Sequence, residues 1–324
     1  MKKRVFSGVR PTGRLHIGNY LGAVKNYVAL QDEYECVYCI VDLHALTTLE
    51  ETSQLQENIH EALLDLLAAG LDPQKSIIFV QSHVPEVTEL FTLLGMVTPL
   101  GWLLRVPTFK EKVRMHPHNV NYGLVGYPVL QAADILLYRA DVVPVGEDQL
   151  PHLELTREIV RRFNEHFGET FAEPQAKLTS FPMVMGLDGK DKMSKSLGNH
   201  IELAATAEET TKRVMSAVTD PARKLRLDAG HPEVCNVYKL RKHFQPELID
   251  ALAADCRSAK IGCVDCKKAL AEAINRDLAP LRARRAELAA RPEYVREVMT
   301  DGAKRARVIA RQTLSEVKQK MKLT

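Results

Sequence analysis

The sequence predicts an α/β protein in which a parallel, helix-covered sheet is followed by an all-helical region. In the first 200 residues, short apolar runs alternate with segments of helical period, the pattern of strands joined by helical crossovers. After about residue 200 the strand-like runs stop and long helical patterns take over. We therefore divide the 324 residues into an α/β domain over 1–200 and a helical domain over 201–324.

Each element follows from its own pattern. Apolar runs predict strands over 4–7, 36–41, 76–80 and 141–145, and helical patterns cover 17–30, 128–138 and 149–167. Apolar residues at 55, 59, 62 and 66 indicate another helix, which Gly70 and Pro73 end. Pro128 is interpreted as a helix start. Near the C terminus one apolar helical face is expected, with basic residues largely off it; the face comprises Ala310, Leu314, Val317 and Met321.

Composition places the protein among ordinary globular chains, with 45% hydrophobic and 26% charged residues. The basic N terminus runs directly into Gly and Pro without an apolar signal region, and no stretch approaches the roughly 18 apolar residues of a membrane span. We expect a cytosolic protein that does not engage a membrane. In that reducing compartment the six cysteines are not expected to form disulfides.

The net charge of +3 conceals an asymmetry. Residues 1–200 carry 19 Lys and Arg against 24 Asp and Glu, whereas residues 201–324 carry 25 against 17. The positive charge therefore lies in the predicted helical domain. This distribution favours a surface that faces nucleic acid, although solvated helix faces produce it too.

Neither a P-loop motif nor a G-x-G-x-x-G fingerprint occurs, so another segment must hold any nucleotide. The segment from Gly8 to Asn19 follows the first strand and opens the next helix, at the sheet edge where open α/β folds bind ligands. Free N–H groups at that helix N terminus suit phosphate oxygens, and Gly18 permits close approach of an adenine. A common glycine-rich turn is the alternative.

Two lysines lie in the run Lys192-Met193-Ser194-Lys195-Ser196, flanked by Ser and Gly. Such a mobile loop suits transfer at an α-phosphate, because its lysines stabilise charge that builds on the leaving oxygens. Lys110 and Lys112 would add to this phosphate clamp, or else belong to a solvated face. The plain alternative for the run itself is an exposed basic turn.

With His16-Ile17-Gly18-Asn19 upstream, these residues resemble the paired signatures of class I aminoacyl-tRNA synthetases, and specifically of the bacterial tryptophanyl family. The resemblance covers essentially the full length. It includes Val41-Asp42-Leu43-His44-Ala45, the segment from Tyr127 to Leu136, and Val143-Pro144-Val145-Gly146-Glu147-Asp148-Gln149. The tyrosyl family shares the fold and part of these motifs.

The resemblance implies a Rossmann-like catalytic domain, a helical anticodon-binding domain, a homodimer, and ATP with Mg²⁺, tryptophan and tRNA(Trp) as ligands. The catalytic residues that it implies are His16, Asn19, Lys192, Lys195 and Ser196. Those for ATP are Arg10, Pro11, Thr12, Gly18, Asn19, Gly146, Glu147, Asp148, Val184, Lys192, Met193, Ser194, Lys195 and Ser196. Those for tryptophan are Phe6, His44, Tyr127, Gln131, Asp134 and Gln149.

Physical reasoning adds to the amino-acid pocket. Tyr127, Gln131 and Asp134 stand at i, i+4 and i+7 and project from one helix face. An amino acid with one ring donor needs an apolar slot ending in an acceptor, which Asp134 provides for an indole N–H. The alternative for Asp134 is a surface carboxylate, which its apolar neighbours disfavour.

Tyrosine is the competing substrate, since the Tyr, Gln and Asp pattern also resembles tyrosyl enzymes and many tryptophanyl enzymes have Met at the position of Gln131. Tyrosyl enzymes usually place a tyrosine hydroxyl near the position of Phe6, which has none. We therefore favour tryptophan.

The six cysteines form two sets. Cys36 and Cys39 lie three apart in an apolar strand and are interpreted as core residues on opposite faces. Cys235, Cys256, Cys263 and Cys266 have the spacing C-x20-C-x6-C-x2-C. A subset of bacterial tryptophanyl enzymes holds a [4Fe-4S] cluster on a similar pattern whose first gap is two residues longer. We favour the cluster; tetrahedral zinc and four plain thiols are the alternatives.

Two other functions compete with a tryptophan–tRNA ligase. A non-catalytic RNA-binding or redox-sensing paralogue is disfavoured by intact His16, Lys192 and Lys195. A small-molecule nucleotidyltransferase of the same superfamily is disfavoured by the full-length resemblance and the basic second half.

Overall fold

A computed structural model describes residues 2–49, 51–115, 118, 120–178 and 183–323, without the side chains of residues 108, 111, 112 and 115. The strands described form a parallel sheet with the order β3-β2-β1-β4-β5. Their bounds are β1 Arg4–Val9, β2 Glu35–Ile40, β3 Ser76–Val80, β4 Val142–Val145 and β5 Gln175–Leu178. This order confirms the predicted Rossmann-like sheet, in which crossovers leave β1 in opposite directions along the sheet.

Helices cover the sheet and make up the region after residue 200. Before that point they are α1 Ile17–Asn19, a π-helical turn Tyr20–Val24, α2 Lys25–Leu30, α3 Asp42–Ala45, α4 Leu55–Ala68, α5 Glu86–Val97, α6 Leu100–Arg105, α7 Pro107–Met115, α8 Tyr122–Leu137 and α9 Leu150–Phe167. After it they are α10 Ala207–Met215, α11 Asn236–Phe244, α12 Ile249–Arg257, α13 Cys263–Ala289 and α14 Pro292–Lys320. The predicted all-helical second region is confirmed.

The four predicted strands are confirmed within about two residues at each end, but β5 and helices α5 to α7 were not predicted. The interpretation of Pro128 as a helix start is wrong. Helix α8 begins at Tyr122, where Asn121 caps it by accepting a hydrogen bond from the Leu124 N–H at 2.9 Å. Pro128 lies inside this buried helix, whose packing compensates for the N–H group that proline lacks.

Both faces of β2 are buried. Cys36 belongs to the core on one side of the sheet and Cys39 to the core on the other, and each is 1% exposed. Their interpretation as core residues on opposite faces is confirmed.

Helix α14 returns to the sheet and packs on β3. A side chain at Gly302 would lie 1.8 Å from the carbonyl oxygen of Ile78, so only glycine permits this close approach. Ala310, Leu314 and Val317 are buried as predicted, while Arg307 and Arg311 donate to Glu86 at 3.1 and 3.0 Å. Because each hydrophobic core takes residues from both sides of residue 200, the two predicted regions pack together. A domain boundary near residue 200 stays a prediction.

Candidate active site

A cavity lies at the carboxyl ends of β1 and β4, the neighbouring strands at which the sheet order reverses. Its volume is about 440 Å³, and it is lined by Phe6, Gly8 and Arg10 from the end of β1 and by Val143 and Gly146 from β4 and its loop. Open parallel sheets bind ligands at this switch point. The predicted tryptophan-binding residues all line it, and they are Phe6, His44, Tyr127, Gln131, Asp134 and Gln149.

Asp134 lines this cavity and is 1% exposed. Its carboxylate lies 2.9 Å from His44 Nε2 and accepts from Gln81 Nε2 at 2.9 and 2.8 Å. Gln81 is fully buried, and its own oxygen accepts from the backbone N–H of Leu43 at 3.1 Å. The acceptor is therefore fixed from two sides before any ligand binds.

Sequence reasoning missed Gln81, although it directly follows β3 at the carboxyl edge of the sheet. That position was the signal that could have found it, since this edge carries the site. Three residues that line the cavity and bear hydrogen-bonding side chains, His152, Ser7 and Tyr27, were also missed. The Tyr127 hydroxyl lies 2.7 Å from His152 Nε2, and the Ser7 hydroxyl donates to the Tyr27 hydroxyl at 2.8 Å.

The wall opposite α8 is a π-helical turn, Tyr20–Val24, inserted between α1 and α2. The small residues Gly22 and Ala23 of this turn line the cavity. Such single π turns often mark functional sites because they alter which residues a helix presents. The sequence predicted one continuous helix over 17–30 and gave no sign of this turn.

His16 is the N-cap of α1 and is 8% exposed. Its Nδ1 accepts from the Asn19 N–H at 3.3 Å, and the Asn19 side chain accepts from the His16 N–H at 3.0 Å. Burial, followed by the nearby charges of His200, Lys192 and Lys195, lowers the pKa of His16 to about 4. The ring is neutral at pH 7, and because Nδ1 is an acceptor, its proton lies on Nε2.

The loop with the two lysines lies against the segment that precedes His16. Lys195 Nζ donates to the carbonyl of Thr12, which precedes His16 in the chain, at 3.0 Å. Met193 is buried and its N–H donates to the Val184 carbonyl at 2.9 Å, while the Ser194 N–H donates to Asn199 at 2.8 Å. The hydroxyls of Ser194 and Ser196 lie 2.9 Å apart.

The remaining predicted ATP residues lie in the segment from the end of β1 through α1 and in the turn after β4. Gly18 has His16 so close that an added Cβ would lie 2.9 Å from Nδ1. Arg10 donates to the Thr48 hydroxyl at 2.9 Å, and Pro11 joins it to Thr12. Glu147 and Asp148 are exposed in the turn after β4.

The addition of Lys110 and Lys112 to the phosphate clamp, with a solvated face as the alternative, stays a prediction. Lys110 is exposed on α7, and the side chain of Lys112 lies outside what the structure describes. Lys110 does not line the cavity at the switch point.

The second set of cysteines lines a separate small cavity of about 20 Å³, and its members are Cys235, Cys256, Cys263 and Cys266. Arg223 donates to the Cys256 sulfur at 3.8 Å, and Arg241 donates to the Cys266 sulfur at 3.4 Å. Burial raises the pKa of both thiols, while these guanidinium groups act against that rise. Within the described part of the chain, no three His, Cys, Asp or Glu side chains are arranged to hold a single metal ion.

The fold and the paired signature segments define a class I aminoacyl-tRNA synthetase. The family model described as tRNA synthetases class I (W and Y) matches residues 1–279. The chain belongs to this family.

Several relatives that match nearly the full chain are named tryptophan–tRNA ligases. One from Deinococcus radiodurans is 47% identical, with 98% of each chain covered, and one from Thermotoga maritima is 46% identical, with 99% of each covered. The tryptophanyl-tRNA synthetase of Campylobacter jejuni, solved with ADP and tryptophan, has a TM-score of 0.89 at 36% identity and covers 98% of this chain and 99% of its own. The activity of the present chain is that of a tryptophan–tRNA ligase. No helix among the described residues is long and apolar enough to cross a membrane.

Proposed function

We propose that the cavity at the switch point binds tryptophan and that the two signature segments hold ATP beside it. The contact between Lys195 Nζ and the Thr12 carbonyl, 3.0 Å, supports this most directly. This bond joins the lysine loop to the segment that leads to His16, and Gly8 and Arg10 at the start of that segment line a cavity of amino-acid size.

Asp134 is proposed to accept the indole N–H, with Phe6 and His44 beside the ring. A buried carboxylate held by two donors supports this role, since it cannot turn away to satisfy itself elsewhere. Tyr127, Gln131 and Gln149 are proposed to lie around the α-amino group, and each lines the same cavity.

The first reaction is proposed to proceed by attack of a tryptophan carboxylate oxygen on the α-phosphorus of ATP. The bond from that phosphorus to the bridging oxygen breaks, and pyrophosphate leaves with the electron pair. Lys192 and Lys195, with the Mg²⁺ that accompanies ATP, stabilise the charge that develops on the leaving group. Neutral His16 is placed to donate from Nε2 without adding a competing charge. A ribose hydroxyl at the tRNA 3′ end then attacks the carbonyl, and AMP leaves.

The test is amino-acid-dependent exchange between ATP and pyrophosphate, measured with each of the twenty amino acids. We expect exchange with tryptophan and none with tyrosine, because Asp134 supplies an acceptor and Phe6 offers the phenol no partner. Equal exchange with tyrosine would refute the proposed specificity.

We further propose that Cys235, Cys256, Cys263 and Cys266 hold a [4Fe-4S] cluster. The donor set fits, because the four cysteines line one cavity and two guanidinium groups donate to the sulfurs of Cys256 and Cys266, as they would to thiolates. The four cysteines would bind such a cluster as thiolates.

Metal analysis tests this proposal. Protein purified without oxygen is expected to be brown and to contain iron and sulfide at about four each per chain. Colourless protein with one tightly held zinc would decide for the tetrahedral alternative. Iron retained after Cys263→Ser and Cys266→Ser together would exclude the ligands named. Because the cluster lies apart from the cavity at the switch point, its loss should weaken tRNA charging and spare adenylate formation.

The remaining proposals concern assembly, location and tRNA. Residues 201–324 are proposed as the anticodon-binding domain, supported by their excess of basic residues.

A homodimer is supported by exposed apolar side chains on α5, α6 and α8, where Met96, Leu100 and Tyr122 are 74%, 61% and 74% exposed. A cytosolic location is also proposed. Light scattering of the purified chain should give twice the monomer mass, and a monomer would contradict the dimer.

A further inference from the structure

A buried ion pair joins the helical region to the segment that carries His16. Asp65 on α4 is fully buried, and Arg285 on α13 donates from Nε to its Oδ1 at 2.6 Å. The other carboxylate oxygen accepts from the Leu15 N–H at 2.6 Å. Leu15 directly precedes His16, so one carboxylate connects α13 with the first signature segment.

The same short segment is held by backbone pairing on its other side. The Ile17 N–H donates to the Ile201 carbonyl at 2.9 Å, and the Leu203 N–H donates to the Leu15 carbonyl at 2.9 Å. Arg282, one helical turn before Arg285, donates to the Leu203 carbonyl at 3.2 Å. Helix α13 therefore contacts both partners of this backbone pairing. Arg285 reaches Leu15 through Asp65, and Arg282 bonds to Leu203 directly.

The guanidinium of Arg285 is what makes a buried carboxylate tolerable at this position. Burial raises the pKa of Asp65, while Arg285 and the Leu15 N–H act in the opposite direction. Removing one partner of a buried pair leaves an uncompensated charge, which forces protonation or movement of the other. Protonation or movement of Asp65 would alter the carboxylate oxygen that accepts the hydrogen bond from the Leu15 N–H.

A second carboxylate nearby offers a matched comparison. Glu61, one turn before Asp65 on α4, accepts from Arg285 Nη2 at 2.7 Å and from Arg14 Nε at 2.5 Å. It shares the arginine and the helix with Asp65, but the structure gives it no bond to the backbone of 15–17. Loss of its charge should therefore leave that backbone in place.

We propose that Asp65 and Arg285 are positioning residues for adenylate formation: they fix the backbone entering His16 and so set the placement of its ring. The proposal rests on the proposed role of His16 in that reaction. It makes the helical region a direct support of the ATP site. The tryptophan cavity is spared, because neither residue lines it.

The experiment compares Arg285→Met, Asp65→Ala and Asp65→Asn with Glu61→Gln in the full-length protein. Exchange between ATP and pyrophosphate is measured at a temperature well below the Tm of every variant. A small displacement of a catalytic group lowers the rate steeply, so Arg285→Met and Asp65→Ala should each lower kcat by roughly 10-fold or more. The KM for tryptophan should stay within about twofold, because that site keeps its contacts. Asp65→Asn, which keeps an acceptor for the Leu15 N–H, should recover part of the loss, and Glu61→Gln should retain most of the wild-type kcat.

A lower Tm with unchanged kcat in Arg285→Met and Asp65→Ala would overturn the proposal, because the pair would then be a stability feature alone. An equal loss of kcat in Glu61→Gln would also overturn it. If the two variants fail to fold, Arg285→Lys keeps the charge but not the two directed N–H bonds. It should still lower kcat, and an unchanged kcat would contradict positioning. Failure of the proposed function is distinguishable, since wild-type protein would then show no tryptophan-dependent exchange.

Discussion

Asp134 and Lys195 belong to the same proposed active site, yet their surroundings differ. Asp134 is 1% exposed and is held by His44 and Gln81. Lys195 lies in the loop 192–196, and its ammonium group donates a hydrogen bond to the Thr12 carbonyl. Lys192 and Ser196, at the two ends of this loop, are exposed.

This difference matches two physical tasks. Discrimination between ring donors requires an acceptor that is buried and fixed, because a mobile carboxylate would reach water and accept any donor. Stabilisation of charge on a leaving group requires cations that meet it as it forms and release it afterwards, which a loop permits. A fixed carboxylate at the amino-acid end and an accessible lysine loop at the phosphate end therefore serve two steps of one mechanism.

The phosphate end should be the more sensitive to mutation. Replacing Lys195 with Ala is expected to lower kcat for exchange by roughly two orders of magnitude or more, because the ammonium group acts on charge present only in the transition state. The KM for tryptophan should change little. Steady-state exchange kinetics measure both constants.

Lys190→Ala is the control for that variant, since Lys190 is an exposed lysine just before the same loop. It should behave like the wild type. Unchanged adenylate formation in Lys195→Ala would refute the role of this loop and remove one side of the comparison.

The amino-acid end should show a smaller effect of a different kind. Asp134→Ala is expected to lower kcat/KM for tryptophan by roughly 2 kcal/mol, the loss of one hydrogen bond to a charged group. The KM for tryptophan should rise while the KM for ATP stays constant. An equal rise in both would show that Asp134 supports the whole site and does not recognise the ring.

How much of this site the sequence could predict follows the same division. Local patterns predicted strands β1 to β4 and the motif residues near their carboxyl ends, because side-chain periodicity is a local property. Gln81 and the Asp65–Arg285 pair escaped prediction. Gln81 and Asp134 stand 53 positions apart and Asp65 and Arg285 220 apart, and such contacts depend on the packing of separate elements. Pro128 misled for a related reason, since burial of α8 overrides the local preference of proline for a helix start.

Gln81 tests the comparison further, because it donates to Asp134 and is proposed to affect the ligand only through that carboxylate. Gln81→Met keeps the approximate size but removes the donor, and we expect roughly a 1 kcal/mol loss in kcat/KM for tryptophan, expressed mainly in KM. Gln31→Met is the matched control. Gln31 is another buried amide, bonded to the carbonyls of Val28 and Gly70 away from the cavity. It should lower stability without changing the KM for tryptophan; equal KM effects would contradict the role of Gln81.

The smallest effect on activity is expected from the titration of His16. Its pKa is about 4 in the folded protein, against 6.5 for an unperturbed imidazole. The ring therefore stays neutral between pH 6 and 8, and no change in kcat in this range should come from it. NMR titration of the ring, assigned by loss of its signal in His16→Asn, measures this pKa.

The same shift has a consequence for stability with a definite sign. Between about pH 6.5 and 4 the unfolded chain binds a proton at His16 while the folded protein does not. The contribution of His16 to the free energy of unfolding is therefore complete above pH 6.5 and is lost as the pH falls through this window. Denaturant unfolding of wild type and His16→Asn should show a steeper acid loss in the wild type. Equal slopes, or a His16 pKa near 6.5, would mean that the ring is solvated, and the phosphate end would then contain no buried, neutral donor of the kind inferred here.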